Sequence, residues 1–128
     1  MTDFVDPTDP QAVEAVLHDA VALLGVDPVL ETLAPVVPVR LGHAAGLFRG
    51  AEPDQVVVGD RVLWVDEHQR ASLQHVVGGI VLSTDPVMPA ALPGVLASLV
   101  SRYVAERGSQ EAASVLLTSL RDAVAAGS

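Results

Sequence analysis

The chain contains no cysteine and no lysine: all 7 of its basic residues are arginines, at 40, 49, 61, 70, 102, 107 and 121. Without cysteine there are no disulfides, no thiolate-bound zinc or iron–sulfur clusters, no thiolate nucleophile and no dithiol redox chemistry. Without lysine there is no Schiff-base chemistry and no phosphate-cradling P-loop lysine. Aromatic residues are also scarce, at 3%, with Trp64 the single tryptophan. Lysine loss beside this richness in alanine and valine fits a GC-rich, actinobacterial-like coding bias.

What is abundant is aliphatic. Half of the 128 residues are hydrophobic and 18% are charged, enough for a chain of this length to bury a core as a single domain over 1–128. Residues 1–9 are polar and acidic and read as a flexible tail. The net charge is −9, which repels phosphate backbones and anionic lipid heads, and the arginines are scattered along the chain. No nucleic acid and no membrane partner is expected. The N-terminus lacks a basic n-region and an apolar h-region. The charge-free stretch from Pro86 to Ser101 is short for a bilayer and is interrupted by prolines. A cytoplasmic location is the expectation.

Local signals define the elements. Asp9-Pro10 opens a helix, Asp as cap and proline in its first turn, that carries Val13, Val16, Leu17, Ala20, Leu23 and Leu24 at helical spacing and closes at Gly25. Asp27-Pro28 repeats the signal for a short helix over 28–33. Pro35 and Pro38 exclude a helix interior, so 36–41 reads as an edge strand and 42–46 as a loop. Strands over 56–58 and 61–65 form a hairpin, and Gly59-Asp60 suits a type II′ turn. After a polar loop at 66–70, residues 71–83 read as one long strand bulged at Gly78-Gly79 and ended by Thr84-Asp85-Pro86. Leu92, Val95, Leu96, Leu99, Val100, Tyr103 and Val104 then repeat at helical spacing. Gly108-Ser109 separates that helix from a last one ending at Gly127. Consecutive hairpins leave no crossovers for a parallel sheet. The expected fold is α+β: an N-terminal helix, an antiparallel three- to four-stranded β-meander and two C-terminal helices packed on the sheet.

Candidate chemistry is sparse. His18 falls off the apolar stripe of its helix and reads as a surface residue. His43 lies in a loop, and His68 in a polar turn. His75 is the strongest candidate, because it lies mid-strand with Leu73 and Val77 on its own face and Gln74 and Val76 on the other. A five-residue loop at 66–70 sets Arg61 opposite His75, where it would keep the imidazole neutral; a loop one residue shorter sets Val62 there. Trp64 serves either the core or a subunit interface. There is no His-x-x-x-His, calcium loop, Gly-x-Ser-x-Gly or phosphate fingerprint. No catalytic residue, metal or cofactor is expected.

The composition points to a non-enzymatic homodimer that acts as a protein-interaction module, since a small sheet has two faces to cover. The alternative is a small apolar ligand-binding protein, or a cofactor-free enzyme, with a pocket between sheet and helices near His75 and with Arg61, Gln74 and Trp64 as further ligand-binding candidates. A nucleoid-associated DNA binder is a third reading, and the charge opposes it.

Overall fold

A computed structural model describes residues 3–42, 53–66 and 68–127. Helix α1 (Pro10–Leu24) starts as its caps require. The Asp9 side chain accepts the Gln11 N–H, Pro10 takes the first turn, and Gly25 ends the helix at φ +90°. Helix α2 (Val26–Leu33) begins two residues before Pro28, so this proline lies within the first turn rather than opening it. It is tolerated there because those amides have no intrahelical acceptor.

Five strands follow: β1 (Val39–Arg40), β2 (Asp54–Val58), β3 (Arg61–Val65), β4 (Ala71–Val77) and β5 (Ile80–Val87). They form one antiparallel sheet in the order β1-β2-β3-β4-β5. The fold is α+β as expected, with one strand more than the sequence signals suggest. The extra strand comes from Gly78-Gly79. Both glycines have positive φ, +58° and +81°, and Val77 pairs with Ile80, so the two make a tight hairpin turn rather than a bulge. A bulge does occur nearby: Val76 pairs with Val81 and His75 with Ser83, which leaves Leu82 without an opposite residue. Thr84-Asp85-Pro86 does not end the sheet but continues β5 to Val87. Proline is accepted because β5 is an edge and no strand needs its missing N–H on the outer side.

The loop between β3 and β4 sets the register. Asp66 Oδ1 accepts the amides of His68 and Arg70 (2.9 Å each), and Gln69 adopts φ +61°. The loop therefore spans five residues, and Arg61 pairs with His75.

Alternation divides the sheet into two faces. Val56, Val58, Leu63, Val65 and Ala71 are buried on one. Helix α3 (Leu92–Glu106) packs on β2 from this side, with Pro93 in its first turn. Ser109 Oγ accepts the Ala112 N–H at the start of α4 (Gln110–Gly127). Helix α1 packs on both α3 and α4, and the C-terminal helices and sheet share one core. Val5 belongs to it too. In the stretch read from sequence as a flexible tail, this residue is buried, its N–H donating to Thr118 Oγ1 (2.9 Å) and its carbonyl accepting from Ser114 Oγ (2.7 Å).

Asp54 is the buried acid of the sheet, and its Oδ1 accepts the Gly42 N–H at 2.7 Å. Asp54→Ala strands that amide and is expected to cost about 2 kcal/mol, the scale of a buried hydrogen bond to a charged group. Urea unfolding measures it; an unchanged midpoint would mean that water replaces the carboxylate at no cost.

Candidate functional site

The type II′ turn at Gly59-Asp60 lies at one end of the helix-side face. Gly59 has φ +58° while Asp60 stays at negative φ, the pattern this turn demands. A Cβ at residue 59 would also come within 2.8 Å of the Arg102 guanidinium, which would have to shift away from it.

Asp60 is the centre of a charged cluster. Its Oδ1 accepts from Arg102 Nη1 at 3.0 Å, and its Oδ2 lies 2.8 Å from His75 Nε2. Arg61 Nε stands 4.0 Å from the same carboxylate, and Arg102 Nε donates to Glu106 at 3.4 Å. The Asp60 carbonyl accepts the Val76 N–H at 2.7 Å. One residue thus ties α3, the β2–β3 turn and β4 together. Arg102 chiefly, then the turn's own amide and His75, hold the Asp60 carboxyl below its ordinary value, against a partial desolvation that works the other way. The same pairing raises Arg102.

This shift has a defined sign. A carboxylate whose folded pKa is depressed stabilises the protein above its unfolded value of 3.8, and the contribution is lost as pH falls through the lower folded value. The difference in unfolding midpoint between the wild type and Asp60→Asn is therefore expected to be present at neutral pH and to close in acid, below the unfolded value. A difference that stays constant from neutral pH into acid would show that the Asp60 charge contributes nothing.

The four residues singled out from the sequence separate into two pairs. Arg61 and His75 are ladder partners on the helix side. The near contact of His75 is the Asp60 carboxylate, and Arg61 also turns toward that carboxylate. Trp64 and Gln74 lie on the opposite face, where Trp64 Nε1 donates to Gln74 Oε1 at 2.8 Å and Gln74 reaches Thr84 Oγ1 at 3.4 Å. An open cleft of about 400 Å³ runs beside them past Pro53, Asp66, Arg70 and Ser72. His18 is exposed beside Asp19, as its helix position suggested. His43 lies outside the described residues. Among the described residues no group of three His, Asp or Glu is placed to hold a metal ion, and no helix is long and apolar enough to cross a membrane.

Sequence reasoning missed Asp60 and Arg102. Asp60 was read only as a turn residue, and Arg102, 42 residues further on, only as one of the scattered arginines. It also missed the β4–β5 hairpin. Because β3 begins at Arg61, opposite His75, residues 76–82 project past it. This overhang reads Val-Val-Gly-Gly-Ile-Val-Leu, without a charge or a proline. Val77, Ile80, Val81 and Leu82 are 50%, 65%, 50% and 59% exposed. The Asp60 cluster sits at the root of this apolar projection.

Compared with known protein families, characterised proteins and solved structures, the chain matches none.

Proposed function

We propose that the protein is a non-enzymatic homodimer that works as a protein-interaction module, with the β4–β5 hairpin as its subunit contact. The observation that carries this reading is the exposure of four large aliphatic side chains, Val77, Ile80, Val81 and Leu82, on one hairpin. Isolated apolar side chains are ordinary on a surface, but a contiguous group marks a contact. Either side of its turn glycines the segment is β-branched or aliphatic, uncharged and free of proline. Left in water on a sheet edge it is a hazard that folded proteins cover or blunt. Burying the exposed half of each side chain is worth about 1 kcal/mol, and a twofold contact counts each residue twice.

The Asp60 cluster supports the same reading from the other side. Asp60, His75, Arg102 and Glu106, the groups best suited to acid–base work, are engaged with one another. They brace α3 against the root of the hairpin, and a braced projection loses less freedom on association.

Light scattering tests the proposal. The expected mass is twice the 13.3 kDa of the chain at micromolar concentrations. A monomer persisting at about 100 μM would put any self-association weaker than about −5.5 kcal/mol and would overturn the reading.

A further inference from the structure

We infer that the surface covering the hairpin is the β5 edge of a second copy, paired antiparallel about a twofold axis at Leu82. This rests on the homodimer reading and adds to it the element, the direction and the register. β5 is the last strand of the sheet, so its outer side carries backbone groups with no partner strand among the described residues. Antiparallel pairing of a strand with its own copy is isologous and closes at two subunits, whereas a head-to-tail contact leaves both edges open to further growth.

Charge selects this edge for a second copy. Each chain carries −9, so two copies repel over most of their surfaces. From Ala71 to Thr84, however, there is no Asp, Glu or Arg, and the stretch is the whole of β4, the turn and the first half of β5. Two acidic chains can meet along it without setting like charges face to face.

Asp85 and Pro86 select the register. With the axis at Leu82, Leu82 meets its own copy, Val81 meets Ser83 and Ile80 meets Thr84. Asp85 and Pro86 then fall opposite Gly79 and Gly78 at the turn, beyond the paired stretch. The two Asp85 carboxylates are six residues apart along the strands, about 20 Å. Moving the axis to Ser83 sets Asp85 against Val81 and brings proline, which has no N–H to give, into the ladder. Moving it on to Asp85 sets the two carboxylates opposite each other. Moving it back toward the turn shortens the pairing to a few residues.

The chain has no cysteine, so single introduced cysteines report the register directly. Residues opposite each other in an antiparallel pair have Cα atoms about 4.5–5.5 Å apart, within reach of a disulfide. Leu82→Cys is expected to oxidise to a covalent dimer on its own. Thr84→Cys alone is expected to remain unlinked, its copies lying about 13 Å apart, but to link when mixed with Ile80→Cys. Leu23→Cys, on the exposed face of α1, serves as the unlinked control. Light scattering on the reduced proteins runs beside the gels. A reduced dimer with Leu82→Cys linked supports both readings. A reduced dimer in which Leu82→Cys stays unlinked, or Leu23→Cys links instead, overturns this register and leaves the homodimer standing. A reduced monomer in the wild type overturns both.

Discussion

Replacing Leu63 by alanine is expected to lower the unfolding free energy by about 3–5 kcal/mol and the melting temperature by roughly 10 °C or more. Leu63 is the middle residue of β3 and is wholly buried. Val56 and Leu73 flank it on the same face of the sheet. Both neighbouring strands hold β3 in register, so the backbone cannot close over the space the side chain leaves. The cost is then the lost transfer energy plus a cavity that stays open. Since a domain of this size has only about 5–15 kcal/mol in hand, this one substitution removes a large part of it. Urea unfolding at fixed protein concentration gives the number. A loss below about 1 kcal/mol would mean that β3 is not the centre of the core. Leu82 provides the contrast, being the same residue type on the same sheet but 59% exposed.

Leu82→Asp is expected to weaken self-association at least 100-fold, about 3 kcal/mol, while the chain stays folded. Three effects act together. The apolar contact is lost from both copies, a carboxylate must be desolvated, and its twin faces it across the axis. Each copy also becomes more acidic. The monomer is little affected, because a mostly exposed side chain on an edge strand supports nothing in the core. Sedimentation or light scattering should return a single-chain mass for this variant at concentrations where the wild type is a dimer. Mixing it with Leu82→Arg should restore the dimer, since the new charges then attract. A wild-type mass for Leu82→Asp alone would place the contact on another surface.

Much of the fold is legible in the sequence because its signals are local. The Asp9 cap, the Gly59-Asp60 turn, Pro93 and the Gly108-Ser109 junction each act within a few residues of themselves. The third strand shows where local reading stops. Gly78-Gly79 can be a bulge or a tight turn, since both use the same freedom of glycine at positive φ. What separates the two is whether Val77 and Ile80 pair, which depends on the register of β4 and β5. Asp85-Pro86 likewise ends a central strand but not an edge strand, and edge or centre is a property of the whole sheet. Val5 gives no signal at all, because its partners, Thr118 and Ser114, lie at the other end of the chain.

The candidate site divides in the same way. Alternation already puts His75 and Gln74 on opposite faces, and a five-residue loop already sets Arg61 opposite His75. That Asp60 is the group on which His75, Arg61 and Arg102 converge depends on how α3 lies across the sheet.

By itself, then, the sequence determined the excluded chemistries, most of the helix ends, the Gly59-Asp60 turn and the two-faced character of the strands. Only the tertiary structure decided which face is covered and that an apolar hairpin remains uncovered at the edge. The physical reason is range. Caps, turns and alternation are set by neighbours in the chain, whereas burial is set by whatever else the chain brings alongside.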